Sequence, residues 1–312
     1  MLGVSKPAMK KKSDLGRRIA ANKTVYILLL PAVVATFVFA YMPMPGVIMA
    51  FQEYKPLLGM WKSPFVGLDV FRQIFSTRMV TDSIGNTVYL NVLNLLVSFP
   101  APILLALMLN EVRQMLFKRV VQTVSYLPYF LSWISVVGLM QTILGLYGPV
   151  NQLLQLVAGG KTDRVLFLGQ QQWFVPLYLL LNLWKGIGWG SIIYLAAISG
   201  IDMQLYEAAV IDGAGKLRQI WHITLPGIGQ TAVLLLILSM GGLFGSNFEL
   251  VYALQNPYID FEVISTAVYK IGLQQGNYPL GTALNLIQGV IAFLLVAGAN
   301  YISRRVTDVG IW

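Results

Sequence analysis

Six stretches of this chain are long and apolar enough to cross a bilayer, and that restricts its fold before any motif is considered. A hydrocarbon core about 30 Å thick needs roughly 20 mostly apolar helical residues per crossing. Residues 25–51, 87–109, 120–144, 173–198, 228–248 and 283–302 meet that requirement. In lipid the backbone polar groups must pair within each segment, so every crossing is expected to be an α-helix. The rest of the chain does not supply a water-soluble surface. A soluble domain carries about 25% charged residues, whereas this 312-residue chain carries 11%. A single soluble globule, a disordered chain and a nucleic-acid-binding module are therefore excluded. The expectation is an all-α integral membrane protein.

Prolines punctuate the spans. Pro31, Pro43 and Pro45 are expected to bend the first span or end it early, and Pro100 and Pro102 lie inside the second. The first span is too long for the apolar region of a cleavable leader and lacks a small-residue cleavage site. There is no cysteine and one histidine, His222, so disulfides, thiolate sites and imidazole clusters are excluded.

The formal charge of +9 is unevenly placed. Lys6, Lys10, Lys11, Lys12, Arg17, Arg18 and Lys23 precede the first span, and Arg113, Lys118 and Arg119 follow the second. Lys216 and Arg218 follow the fourth, and Arg304 and Arg305 follow the sixth. Fourteen basic residues thus fall on one side, against seven on the other: Lys55, Lys62, Arg72, Arg78, Lys161, Arg164 and Lys270. The positive-inside rule then puts both termini in the cytoplasm. The expected organisation is a basic tail over 1–24, a six-helix transmembrane unit over 25–305 and a short tail over 306–312. Outer connections at 52–86, 145–172 and 249–282 are long enough to fold against an external partner.

The inner connection at 199–227 is unlike the rest of the chain. Glu207, Ala208, Ala209 and Val210 open an alanine-rich helix, and Gly213 and Gly215 interrupt it to give a turn between two short helices. Leu217, Ile220, Trp221 and Thr224 recur at helical spacing and are expected to share one apolar face. Pro226-Gly227 is expected to stop that helix before the fifth span begins. From physics alone, this connection reads equally as a membrane-surface helix or as a helix that docks a partner. Gly213-Ala214-Gly215-Lys216 is not a phosphate loop, because Val210 stands where the first glycine belongs and Leu217 where a Ser or Thr belongs.

Glu207-Ala208-Ala209, Asp212-Gly213-Ala214 and Ile223-x-Leu225-Pro226 resemble the EAA loop of permease subunits of binding-protein-dependent ABC importers. Ile220 stands where that family commonly has an aromatic residue, and Trp221 beside it is expected to fill the pocket. Asn182-x-Trp184-x-Gly186 and Asn247-Phe248 are similar to the carbohydrate-uptake branch related to maltose permeases. Tyr41-Met42-Pro43, Asn256-Pro257 and Ile311-Trp312 look like its subgroup for complex oligosaccharides or polysaccharide fragments.

The resemblance implies a type I importer fold in a bacterial cytoplasmic membrane and a coupling loop over 201–227. It also implies a second homologous permease, two ATPase subunits, an extracellular solute-binding protein and an oligosaccharide substrate. ATP and Mg would be bound by the ATPases, so this chain would be non-catalytic and without a cofactor. Glu207 would pair with the ATPase and Gly213 would make the tight turn. Ala208, Ala209, Asp212 and Ala214 would shape the docking surface.

Polar residues inside spans are expected to be functional or paired. Tyr178, Asn182, Lys185 and Trp189 share one face of the fourth span, where amide and amine could bond sugar hydroxyls and the ring could stack on a pyranose. Alternatively, Lys185 snorkels or pairs within the bundle and Asn182 bonds a neighbouring helix. Ser239 and Gly242 on the fifth span, with Asn247 near its outer end, could line the same path. Gly241, Gly242 and Gly245 could equally serve close helix packing. Asn91 with Asn94 and Asn285 with Gln288 read first as interhelical hydrogen bonding and second as pathway lining. Tyr126, Tyr129 and Trp133 read as packing aromatics. The competing reading is a stand-alone, ion-coupled sugar transporter. That reading lacks membrane-embedded acids, since all thirteen acidic residues fall in tails or connections. A membrane-embedded enzyme finds no support in a metal motif, a nucleophile elbow or an embedded acid pair.

Overall fold

The computed structural model describes residues 22–160, 163–307 and 309–311. Most of the basic tail lies outside the described residues, as do Lys161 and Trp312. The helices are α1 (Lys23–Thr36), α2 (Asp69–Ser76), α3 (Arg78–Ser98), α4 (Pro100–Glu111), α5 (Met115–Tyr126), α6 (Trp133–Leu144) and α7 (Pro149–Val157). They continue with α8 (Gln171–Ser199), α9 (Met203–Ile211), α10 (Lys216–Gln219), α11 (Leu225–Met240), α12 (Phe248–Leu254), α13 (Ile264–Ala267) and α14 (Tyr278–Thr307). Among the described residues there is no strand beyond an isolated bridge between Gln52 and Phe65. Six helical stretches are long and apolar enough to span a membrane, as expected.

The first span bends as its prolines require. Regular helix gives way to a wide π turn at Phe37–Tyr41 and a tight 3-10 run at Met44–Phe51. The second span is longer than read, Arg78–Glu111, and passes through Phe99 into α4 with Pro100 in its first turn.

The third and fifth spans need correction. Residues 120–144 are not one helix: Leu131 and Ser132 are extended, and α5 ends in a 3-10 turn at Leu127–Phe130. Pro128 lacks the N–H that would continue the ladder, and the Ser132 hydroxyl starts α6 afresh by accepting the Ser135 N–H at 3.2 Å. The apolar stretch that qualifies as a crossing is Trp133–Val157, itself interrupted at Gly145 and Gly148.

The fifth span begins at Lys216 and ends at Met240, so residues 241–247 are turns rather than helix. Pro226-Gly227 does not stop it. A π turn at Ile220–Thr224, closed by the Leu225 N–H on the Ile220 carbonyl, gives the proline ring room that a regular turn lacks. The fourth span, Gln171–Ser199, matches the reading closely, whereas the sixth, Tyr278–Thr307, extends about five residues beyond it at each end and two into the expected tail.

Helix α8 is the pillar of the bundle. Its first half packs Phe174, Tyr178 and Leu181 with Leu90, Val136 and Leu250. Its second half packs Tyr194 and Ile198 with Ala106, Leu107 and Ile228. Glycine permits its closest approaches: a Cβ on Gly188 would sit 2.0 Å from the Ser125 carbonyl oxygen, and one on Gly190 would sit 2.9 Å from the Pro102 ring. A third cluster joins Ala50, Val70, Ile74 and Val80 to α13 and to Leu280, Ala283 and Leu284 of α14. By contrast, α1 buries no residue within the chain.

Candidate functional site

The EAA segment forms a compact elbow. The Asp202 carboxylate caps α9 by accepting the Gln204 N–H at 2.9 Å, which satisfies one of the donors a helix start leaves free. At the other end the Gly213 N–H bonds the Val210 carbonyl at 3.0 Å and the Ala214 N–H bonds the Ala209 carbonyl at 2.8 Å. This is a Schellman cap, which needs a left-handed residue between the two donors. Gly213 supplies it, with φ of 75°. Ala209 and Ala214, the two ends of the bond that spans five residues, are the half-buried residues of the motif, while Glu207, Ala208, Asp212 and Gly213 are exposed. The order Ala-Ala-x-x-Asp-Gly-Ala thus has a local physical reason.

Residues outside the motif brace the elbow. Gln219, only 5% exposed, donates to the Ala214 carbonyl at 2.9 Å. The Tyr206 and Thr224 hydroxyls meet at 2.9 Å across the turn, and Lys216 pairs with Glu111 at the end of α4 at 3.2 Å. Sequence reading missed Gln219, Tyr206 and Glu111; a buried glutamine one helical turn beyond Gly215 leaves no composition signal. It also drew the wrong apolar face. Ile220 and Thr224 pack inward, but Leu217 and Trp221 are 75% and 68% exposed. Ile220 packs beside the α8 cluster, and Trp221 is turned outward. With Val210 and Ile211, these side chains give the elbow an uncovered apolar surface.

Deeper in the bundle, α3, α8 and the end of α11 line an open cavity of about 380 Å³. It brings together Tyr178, Asn182, Ser239, Gly242 and Asn247, five of the seven residues read as pathway lining. Asn247 is not at a span end; its side chain starts α12 by accepting the Leu250 N–H at 3.2 Å. Asn182 donates to the Tyr178 carbonyl at 3.0 Å. Asn91, Asn94 and Ser98 of α3 complete the polar wall. Asn91 is both glue and lining, because its amide also donates to the Leu243 carbonyl at 3.0 Å and approaches the Ser246 hydroxyl at 3.4 Å. The glycines divide their work. A Cβ on Gly241 would come within 3.0 Å of the Val296 side chain, whereas Gly242 faces the cavity. Asn285 lies elsewhere, in an apolar groove with Pro43 and Phe293.

Lys185 and Trp189 do not line the cavity. The Lys185 ammonium donates to the Tyr129 carbonyl at 2.9 Å and lies 5.3 and 4.8 Å from the Tyr129 and Trp133 rings. Trp189 stacks on Tyr129 at 4.4 Å. The lysine thus pairs within the bundle, at the break between α5 and α6.

Comparison with known proteins agrees with this architecture. Residues 98–308 match the family model described as binding-protein-dependent transport system inner membrane component. Protein LplB of Bacillus subtilis (strain 168) is 40% identical over 93% of this chain and 92% of its own. The polygalacturonan/rhamnogalacturonan transport system permease protein YteP of the same organism is 42% identical over 97% of this chain and 94% of its own. A crystal structure of a bacterial ABC transporter involved in import of the acidic polysaccharide alginate superposes with a TM-score of 0.85 at 40% identity. That match covers 95% of this chain and 100% of the other. A related crystal structure of the alginate transporter, in complex with an alginate pentasaccharide-bound periplasmic protein, gives the same score and identity. The chain therefore belongs to the binding-protein-dependent transport system inner membrane components, the multi-pass permeases of ABC importers.

Proposed function

We propose that this permease is one of two homologous membrane subunits that import an oligosaccharide or polysaccharide fragment by alternating access, powered by two separate ATPase subunits. The observation that carries the reading is the elbow: a glycine-capped turn with an apolar surface that none of the described residues covers. Glu207, Ala208, Ala209, Asp212, Gly213 and Ala214 form the coupling contact with an ATPase, which binds the ATP and Mg; this chain holds no cofactor and catalyses no reaction. An extracellular binding protein delivers the sugar to the side opposite the elbow. Both termini then lie in the cytoplasm of a bacterial cell, in keeping with the excess of basic residues on the elbow's side. The family membership sets aside a stand-alone, ion-coupled transporter.

The substrate reading rests on two supports. The similar proteins whose names state a cargo include carriers of polygalacturonan, rhamnogalacturonan and alginate. The cavity offers amides and hydroxyls of the kind that bond sugar hydroxyls, with Tyr178, Asn182, Ser239, Gly242 and Asn247 in its wall. Lys185 and Trp189, the remaining pathway candidates, contact Tyr129 and Trp133 instead of lining the cavity.

The test is reconstitution of the whole complex in proteoliposomes with its binding protein. Glu207→Ala and Gly213→Val are expected to abolish stimulation of ATP hydrolysis by loaded binding protein, with membrane insertion intact. Normal stimulation in both variants would remove the elbow from coupling.

A further inference from the structure

We infer that the pathway wall contributed by this chain recognises sugar through hydroxyl groups and takes no part in binding a carboxylate. The inference rests on the cavity being the sugar path, as proposed above, and it names the chemical class that the wall reads.

Three observations carry it. First, every polar side chain in the lining is neutral: Asn91, Asn94, Ser98, Tyr178, Asn182, Ser239 and Asn247 are its amides and hydroxyls, and no Lys, Arg, Asp or Glu among the described residues lines it. Amides both donate and accept, which suits hydroxyls, themselves donors and acceptors. A carboxylate accepts only, and its strong partners are cationic.

Second, the one cation within the fourth span is already committed. The break at Leu131 and Ser132 ends the helical run of α5, and the exposed carbonyl of Tyr129 takes its hydrogen bond from Lys185 at 2.9 Å. A cation at a helix C-terminus is favourable because carbonyl dipoles gather there. The faces of Tyr129 and Trp133 add cation–π attraction at 5.3 and 4.8 Å. Reaching into the cavity would require breaking this arrangement.

Third, the stack of Trp189 on Tyr129, with rings 5° from parallel, holds the carbonyl's own residue in place. Lys185 is thus a positioning residue for the break between α5 and α6, and it takes no place in the uncharged lining. Discrimination between acidic and neutral glycans falls to the facing permease or to the binding protein.

The experiment compares paired substrates in proteoliposomes holding the complete complex, with saturated binding protein: a trigalacturonide and its carboxyl-reduced trisaccharide. The readout is the ratio of their uptake rates, which cancels differences in protein yield. Lys185→Gln keeps a donor for the Tyr129 carbonyl but removes the charge. It is expected to leave the ratio within about twofold of wild type, whereas Asn182→Asp, which plants a negative charge in the wall, should depress trigalacturonide uptake at least tenfold relative to the neutral sugar. A tenfold selective loss of trigalacturonide uptake in Lys185→Gln overturns the inference while leaving the cavity as the path. A ratio unmoved by Asn182→Asp removes the cavity from the path, and the substrate reading goes with it.

Discussion

The elbow between α9 and α10 takes its shape from residues 209–214, whereas the cavity wall joins Asn91 to Leu243 across 152 positions of sequence. The first is a backbone device. Its cap bonds are closed by neighbours in the chain, and one left-handed glycine is the condition for both. The second is a side-chain device, in which polar groups from three helices converge only because α8 packs tightly enough to bring them together. A local device can be held to a fixed spacing; a convergent one depends on every glycine contact that sets the distance between helices. The two regions should therefore fail in different ways.

The largest effect is expected from disturbing convergence at its source. Gly188→Ala drives a Cβ to 2.0 Å from the Ser125 carbonyl oxygen, so α5 and α8 must separate. Overpacking of this kind costs about 1–3 kcal/mol. Thermal unfolding of the purified complex should show the loss, and an unchanged midpoint would mean that the close approach of these helices does not set the bundle.

Next comes the elbow itself. Gly213→Ala places a Cβ at φ of 75° and should cost roughly 1–2 kcal/mol. It should lower receptor-stimulated ATP hydrolysis, with a smaller fall in the thermal midpoint than Gly188→Ala shows. Gly213→Asn is expected to be milder, because asparagine tolerates the left-handed region. Equal activity for both variants would show that the cap geometry is not what coupling uses.

A smaller effect is expected at Asn91. Leucine there removes the bond to the Leu243 carbonyl, worth about 0.6 kcal/mol on average in membrane bundles and up to roughly 1.7. Uptake should fall and stimulated hydrolysis persist, the reverse of the Gly213 pattern; a parallel loss of both would erase the distinction between the regions. The smallest effect belongs to Lys216→Gln. Its pair with Glu111 is largely exposed, and such pairs contribute about 0–1 kcal/mol. A double-mutant cycle with Glu111→Gln measures the coupling, and a value well above that range would make the brace an essential part of the elbow.

The same contrast explains what could be read from the sequence. Glu207, Asp212 and Gly213 announce themselves because their chemistry is consecutive, and the six crossings follow from length and apolarity alone. Asn182, Ser239 and Asn247 were legible as polar residues in apolar surroundings, but their meeting was not, since it depends on the turns at 241–247. Those turns were hidden inside an apolar run that hydropathy reads as helix. Lys185 shows the limit from the other side. Its place on the same helical face as Asn182 suggested a shared role, yet three residues on, the partner is a carbonyl exposed by a break in another span. Spacing locates a residue on its own helix and says nothing of what the neighbouring helix offers it.

The wide turn at Ile220–Thr224 has a mechanical corollary. Because the helix survives Pro226, Lys216–Met240 is one continuous shaft of 25 residues, about 37 Å at 1.5 Å per residue. Its lower end is the far side of the elbow, and its upper end carries Ser239 into the cavity wall. A displacement of Leu217 would reach Ser239 along this one helix, after passing the loosened turn that let the proline through.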